Sequence, residues 1–136
     1  MMFDIEVINA SKQKYLPKKK VKEVIQKVFL GENKKTAKVN VIFLDIDEIK
    51  SLNKQYLNHN YPTDVLAFSF EDNEIDGEIY ICAQIAKSQA KEYSVSTENE
   101  IMRLAAHGAL HLIGYKDDTE SSRNVMNKLE TTYISN

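Results

Sequence analysis

The sequence has few of the features that mark secreted, membrane-bound or strongly charged proteins. It contains a single cysteine, Cys82, which excludes an internal disulfide and fits an intracellular, reducing compartment. No apolar run is long enough to span a bilayer, so no membrane partner is expected. The N-terminal segment MMFDIEVINA lacks a basic region ahead of an apolar stretch, so no secretory signal is predicted. These absences together predict a cytoplasmic protein.

Positive and negative charges are nearly equal in number, so the net charge by itself excludes few classes of protein. Lysine and arginine total 18 against 20 aspartates and glutamates, which leaves a net charge of −2. Overall charge therefore does not indicate a nucleic-acid-binding protein. A local exception is the lysine group Lys18, Lys19 and Lys20 at the start of the first predicted helix. This group predicts either a phosphate-facing patch or a solvated helix face, because charge runs often only solvate a surface.

The residues that are present suffice for one folded domain. A chain of 136 residues, of which 43% are apolar, has the length of one domain and can bury a substantial core. Apolar periodicity predicts the element order β-α-β-α-β-β-α-α-α, without repeats or a second domain. We therefore predict a single α+β domain over residues 1–136, with about four strands in a mixed sheet and helices packed on it.

Local patterns place the individual elements. The Asp45–Glu48 and Thr97–Glu100 pairs match the capping box that starts a helix. The nearly continuous apolar run at 38–44 predicts a central strand covered on both faces. A polar loop at 71–76 predicts an antiparallel hairpin between the third and fourth strands. The predicted strands are 3–9, 38–44, 64–70 and 77–82, and the predicted helices are 17–31, 46–56, 83–93, 97–111 and 124–133.

The segment from His107 to Asp117 carries the clearest chemical pattern. Two of the three histidines, His107 and His111, lie four residues apart, and such residues share one face of a helix. Gly114 can end this helix because glycine adopts the left-handed conformation without strain. The chain can then turn back so that Asp117 supplies an oxygen to the same point. Three ligands with an open fourth position predict a catalytic metal site at the end of the penultimate helix.

The same residues allow other interpretations. Histidine pairs at this spacing are common by chance, with one ring in the core and the other in water. Asp118 competes with Asp117 as the third ligand, since a loop could present either carboxylate. Gly108 occupies the position where H-E-x-x-H peptidases carry their glutamate base, so a peptidase is disfavoured. A residue this small would instead leave room beside the metal.

Several motifs resemble those of the YbeY family. The run His107-Gly108-Ala109-Leu110-His111-Leu112-Ile113-Gly114-Tyr115 is similar to the family signature H-G-x-L-H-L-x-G-Y-D-H. Asn53, Tyr56 and the segment 62–68 (PTDVLAF) are similar to its N-x-x-Y-R and P-T-D/N-V-L-S-F blocks, and the segment 77–82 (GEIYIC) to its G-D-I-x-I strand. The resemblance spans roughly residues 40 to 130 and implies a single-domain metalloprotein. His107, His111 and Asp117 stand at its ligand positions, with one zinc ion as the implied cofactor.

The resemblance also implies an activity and partners. It implies a zinc-dependent, single-strand-specific endoribonuclease in rRNA processing, notably at the 3′ end of the small-subunit RNA, and in ribosome quality control. Ribosomal RNA and the ribosome are thus the implied partners. Two further classes stay open, namely a metal-dependent hydrolase of another substrate and a non-catalytic ribosome-associated protein whose metal is a structural clip.

Two positions depart from the family pattern. Asp117 stands where most members have a third histidine. Two histidines with one carboxylate can bind zinc but also form the Fe(II) triad, so the metal identity is open. Leu57 replaces the arginine that follows the tyrosine, and leucine cannot contact a phosphate as an arginine fork does. Arg103, one helical turn before His107, is either a substitute cation or a surface residue.

Overall fold

The computed structural model describes residues 2–135, which form one α+β domain. Its order of strands and helices confirms the predicted fold class. None of the helices within the described residues is long and apolar enough to cross a membrane. The elements are β1 (Met2–Asn9), α1 (Lys18–Gly31), β2 (Thr36–Leu44), α2 (Ile46–Leu57), β3 (Val65–Ser69), β4 (Asp76–Cys82), α3 (Ala83–Tyr93), α4 (Thr97–Leu112) and α5 (Glu120–Ile134).

The four strands form one mixed sheet in the order β1-β2-β4-β3. β2 pairs in parallel with both β1 and β4, whereas β3 returns antiparallel to β4. The predicted hairpin of β3 and β4 is therefore confirmed. Parallel neighbours need a crossover connection, which α1 supplies between β1 and β2. β3 lies at an edge of the sheet and contacts α4, so this edge stands next to the two histidines.

The prediction that β2 is covered on both faces is wrong for the first half of the strand. On one face, Ala37, Val39, Val41 and Phe43 are buried in the main core. On the other face, the side chains in the N-terminal half of β2 are exposed. Only the C-terminal end of this face is buried, in a second, smaller hydrophobic cluster that includes Ile49 of α2. The physical reason is that α2 is short and reaches only the C-terminal end of the strand.

Two helix starts differ from the predictions. α4 is capped by Ser96, whose Oγ accepts from the backbone N of Asn99 at 3.0 Å, so the predicted Thr97–Glu100 capping box is wrong by one residue. α5 begins at Glu120, one turn before the predicted start at 124, because Thr119 Oγ1 accepts from the backbone N of Ser122. In both cases the helix starts where an N-cap hydroxyl accepts a hydrogen bond from the backbone N–H three residues later.

Gly108 allows α4 to lie close against the sheet. A Cβ atom on this residue would stand 2.7 Å from Cγ2 of Ile79 in β4, well inside van der Waals contact. The sequence suggested that the missing side chain leaves room beside a metal. In the structure, Ile79 packs into that space. This close seat of α4 on β4 determines where His107 and His111, on either side of Gly108, can point.

Candidate metal centre

His107 and His111 project from the last two turns of α4 toward one point, and Asp117 reaches the same point from the following turn. The two histidine Nε2 atoms lie 3.1 Å apart, and Asp117 Oδ2 lies 3.3 Å from each of them. In a tetrahedral zinc site with bonds of about 2.0–2.1 Å, ligand atoms are separated by about 3.4 Å. The three donors thus occupy one face of such a tetrahedron, and together they could hold a metal ion.

The turn after α4 brings Asp117 to the histidines. Gly114 adopts φ +106°, a left-handed conformation that favours glycine, and its N–H donates to the carbonyl of His111. Tyr115 then donates its hydroxyl to the carboxylate of Glu32 at the end of α1, which anchors the turn. Asp118, the competing ligand, instead faces the first turn of α5, where its Oδ1 lies 3.5 Å from Ser122 Oγ. The structure therefore places Asp117, and not Asp118, beside the two imidazoles.

A buried glutamate behind the histidines was not predicted from the sequence. Glu130 of α5 is 3% exposed, and its Oε2 lies 2.6 Å from Nδ1 of His107. A carboxylate at Nδ1 holds that nitrogen protonated and leaves Nε2 with its lone pair directed at the metal position. One feature of the sequence could have indicated it. Glu130 follows Met126 by four residues and so shares its helix face, and a charged residue on a buried face needs a partner.

Arg103 belongs to this arrangement behind the histidines. Its Nη1 donates to Glu130 Oε1 at 3.2 Å, and its Nη2 donates to Thr131 Oγ1 at 3.0 Å. The guanidinium is thus engaged with α5. Of the two predicted roles, substitute cation or surface residue, neither describes it well, because its observed partner is the carboxylate that orients His107.

The surroundings of His107 favour its protonated form in the metal-free chain. Burial lowers the pKa of His107, but the hydrogen bond and negative charge of Glu130 outweigh it, and Asp117 and Asp64 add to the effect. The net result is a pKa above the ordinary histidine value. A metal ion must displace that proton to reach Nε2, so metal binding is expected to strengthen as pH rises.

A cleft of about 370 Å³ opens over the three donors. α4 forms one wall and β3 with the residues before it forms the other, while Leu57 stands at the end of α2. Leu57 is 46% exposed and lines this cleft together with His107 and His111. The lining residues are Leu57, Thr63, Asp64, Val65, Leu66, Ala67, Ser69, His107, Gly108, His111, Leu112 and Asp117.

A second cavity, of about 390 Å³, adjoins His107 on its other side and contains a buried acid. Glu100 is 3% exposed. Burial, followed by the negative charges of Asp64 and Glu130, raises its pKa to about 6, although Arg103 opposes the shift. A carboxyl group whose pKa is higher in the folded than in the unfolded state destabilises the fold once it ionises.

Glu100→Gln is therefore expected to stabilise the chain at pH 7.5 by about 1–2 kcal/mol, since one pKa unit corresponds to about 1.4 kcal/mol. The penalty is small at pH 4, where the carboxyl is mostly protonated in both states, grows between pH 4.5 and 6, and is complete above pH 6. Urea denaturation at pH 4 and pH 7.5 measures the difference. Glu98→Gln, at the exposed start of the same helix, should show little change at either pH. A gain of equal size at pH 4 would contradict the assignment.

The lysine group, predicted as either a phosphate-facing patch or a solvated helix face, lies at the start of α1, near the N-terminal end of α4. Lys20 pairs with Glu98 in the first turn of α4, whereas His111 lies in the last. At a rise of 1.5 Å per residue, these two positions are about 20 Å apart. Lys18 and Lys19 are exposed on the first turn of α1. The structure thus does not bring the lysine group to the metal centre.

Comparison with known proteins agrees with the fold. The family model described as endoribonuclease YbeY matches residues 6–136. The chain is 32% identical over 129 residues to the endoribonuclease YbeY of Chloroherpeton thalassium, covering 94% of this chain and 92% of that relative. It is 40% identical over 107 residues to the endoribonuclease YbeY of Thermotoga petrophila, covering 79% and 68%. A solution structure of a Thermotoga maritima protein superposes with a TM-score of 0.69 at 31% identity, covering 96% and 86%. With a family match over almost its whole length, the chain belongs to the YbeY family.

Proposed function

We propose that this chain is a zinc-dependent, single-strand-specific endoribonuclease. The observation that carries the proposal is the convergence of His107, His111 and Asp117 beneath an open cleft, in a chain whose relatives are named endoribonucleases. Residues 1–136 would act as one metallohydrolase domain in the cytoplasm. The proposed partners are ribosomal RNA and the ribosome, with roles at the 3′ end of the small-subunit RNA and in ribosome quality control.

His107, His111 and Asp117 are the proposed ligands of one ion, zinc first and Fe(II) second. The donor set fits either metal, because two imidazoles and a carboxylate occur in catalytic zinc sites and in non-haem iron sites. When bound, the ion would supply Lewis-acid activation of water and charge neutralisation at a phosphodiester. Asp117 contributes a negative charge that a third histidine would not, so we expect weaker acidification of water than in a three-histidine site.

The chain's own residues orient and shield this centre. Glu130 holds His107 through Nδ1, and Arg103 holds Glu130. The apolar side chains of Leu57, Val65 and Ala67 limit water around the donors, while Thr63 and Ser69 offer hydroxyls along the β3 wall. These hydroxyls are the proposed contacts for the ribose-phosphate chain, since they line the same cleft as the three donors.

Metal removal and reloading test the proposed activity. The chain is stripped with a chelator and then reloaded with Zn²⁺ or Fe²⁺. Cleavage of a labelled single-stranded RNA is followed under single-turnover conditions, with the matching duplex as the control substrate. We expect cleavage of the single strand only in the reloaded protein. Equal cleavage with and without metal, or preference for the duplex, would contradict the proposal.

Leu57 gives the chain a weaker phosphate contact than an arginine would. Leu57→Arg is expected to raise single-turnover cleavage about 10-fold, because a guanidinium in the cleft can stabilise charge on the phosphate. The gain should stay below the roughly 10²–10³-fold effect of a preorganised hydrogen-bond donor on kcat, since the surrounding residues do not hold the new side chain in place. Leu57→Met is the matched control and should leave the rate unchanged. A rate unaffected by arginine would show that the reacting phosphate does not pass Leu57.

We infer that the lysine group contacts RNA phosphates away from the reacting bond. Changing Lys18, Lys19 and Lys20 to glutamine should lower the slope of log affinity against log salt by about 1.5, because each contact with a single strand contributes about 0.7 and Lys20 is already paired. Fluorescence anisotropy at several salt concentrations measures the slope. Lys87→Gln with Lys91→Gln, on α3, is the control. An unchanged slope would identify the group as a solvated helix face.

A second candidate function is a non-catalytic metal-containing protein that binds the ribosome. Leu57 in the cleft favours it, because the cleft then lacks the cation expected next to a reacting phosphate. A hydrolase of a smaller phosphoester would be compatible with the same donors. In the non-catalytic case, metal removal should unfold the chain instead of abolishing a reaction.

A further inference from the structure

We propose that His59 and Tyr61 form a stacking platform for unpaired bases at the rim of the metal cleft. The two residues lie in the loop between α2 and β3, residues 58–63, called the aromatic loop below. The inference rests on the proposed function, because it names the part of the chain by which the cleft would select single-stranded RNA.

The aromatic loop is continuous with the cleft. Leu57 directly before it and Thr63 at its end both line the cleft over His107 and His111. His59 and Tyr61 follow Leu57 by two and four residues, which keeps their backbone close to the opening although neither side chain lines the cleft itself. A nucleic-acid strand whose phosphate reaches the metal donors and which leaves on this side would pass over the two rings.

The two rings contact each other, and both residues are exposed to solvent. Their centroids lie 5.2 Å apart with an angle of 36° between the ring planes. Tyr61 is 48% exposed, and His59 is likewise exposed. Aromatic rings held in water are the surfaces on which bases stack in single-strand-binding proteins, and such stacking tolerates any base because every base has a π-face.

A buried amide holds the aromatic loop in place. Asn53 is 2% exposed, although an asparagine of α2 could face water at no cost. Its Nδ2 donates to the backbone carbonyl of Tyr61 at 2.9 Å. The backbone carbonyl of Asn53, at the end of α2, also accepts from the backbone N of His59 at 3.2 Å. The Asn53 side chain thus holds the backbone at Tyr61, and the helix end holds it at His59, before any ligand arrives, which reduces the entropy lost on binding.

The chemistry of the rim favours base faces over phosphates. Leu57, at the junction between platform and cleft, is apolar, so this side of the opening offers no guanidinium for a phosphate. In a duplex the base faces are already covered by their neighbours, whereas an unpaired base can leave the strand and cover Tyr61. The platform would therefore bind single strands and discriminate against duplexes without reading their sequence.

Substitutions in the metal-loaded full chain test the platform. Tyr61→Ala and His59→Ala remove one ring each, and Tyr61→Phe keeps the ring. Tyr15→Ala is the control and removes a tyrosine that is 95% exposed, in the segment between β1 and α1, and that does not line the cleft. The probes are a short unstructured RNA and an RNA of the same length with abasic sites. Kd, KM and kcat are measured for each pair.

For Tyr61→Ala we expect Kd and KM to rise about 10-fold with the normal RNA, since one base–aromatic contact is lost, and kcat to stay unchanged. His59→Ala should show the same direction, Tyr61→Phe should restore wild-type values, and Tyr15→Ala should have no effect. With the abasic RNA the difference between wild type and Tyr61→Ala should disappear. If Tyr61 only stabilised the loop, Tyr61→Ala would weaken the binding of both RNAs equally, whether or not they carry bases.

Two negative outcomes are distinguishable. If the wild-type chain cleaves single strands but Tyr61→Ala retains its KM for the normal RNA, the platform is wrong and the proposed function stands. If the wild-type chain neither binds nor cleaves the unstructured RNA, the proposed function fails and the platform fails with it.

Discussion

His111→Ala is expected to abolish metal retention and to reduce single-turnover RNA cleavage by more than about 100-fold, while the chain stays folded. His111 is one of only two imidazoles directed at the metal position, and loss of an outer partner alone costs about 10–100-fold in metal affinity or activity. The ring is half-buried at the end of α4, so its removal takes little from the core. Metal content after dialysis, thermal unfolding and cleavage of a labelled RNA measure the three quantities.

The neighbouring acids provide a matched control for this result. Asp117→Ala should lose metal as His111→Ala does, whereas Asp118→Ala should retain it, because Asp118 faces Ser122 and not the histidines. If Asp118→Ala releases the metal and Asp117→Ala does not, the third ligand has been assigned to the wrong residue. If His111→Ala unfolds the chain at ordinary temperature, the metal acts as a structural clip.

Glu130→Gln is expected to weaken metal affinity by about 10–100-fold, although residue 130 would not touch the ion. The carboxylate holds Nδ1 of His107 at 2.6 Å, and glutamine keeps the shape but loses the charge that fixes the protonated nitrogen. Glu130→Ala should also destabilise the fold by about 3 kcal/mol, because it removes the buried partner of Arg103. Competition with a chromophoric chelator measures affinity, and urea denaturation measures stability.

Thr131→Val separates the orienting role of Glu130 from a general effect on α5. It removes the other acceptor of Arg103 but leaves the contact between Glu130 and His107 intact. Metal affinity should therefore remain at the wild-type value in Thr131→Val. Wild-type affinity in Glu130→Gln would show that the buried carboxylate does not orient the ligand ring.

The convergence of the three candidate donors was predictable because they are close together in the sequence. His107 and His111 share a helix face by the geometry of one turn, and Gly114 ends that helix in the left-handed conformation that its position suggests. Asp117 then needs only a short turn to reach both rings. Each of these steps depends on backbone geometry within a few residues, which local sequence largely determines.

The groups around the donors were not predictable in the same way. Glu130 meets His107 across 23 positions of the chain, and Tyr115 meets Glu32 across 83. Their contacts exist because α5 and α1 both pack on α4, a matter of core shape that no local pattern encodes. The same holds for Gly108, because its close contact with Ile79 depends on how α4 packs against β4.

By itself, the amino-acid sequence determined the order of strands and helices, the resemblance to the YbeY family and the residues offered as metal donors, since all of these depend on periodicity and short spacing. Tertiary packing alone decided which carboxylate contacts His107, that Leu57 lines the cleft over the donors, and that Lys20 pairs with Glu98 at the far end of α4. The physical reason is that side chains distant in the chain meet only when the sheet and helices bury their apolar faces together, and that burial selects the partners.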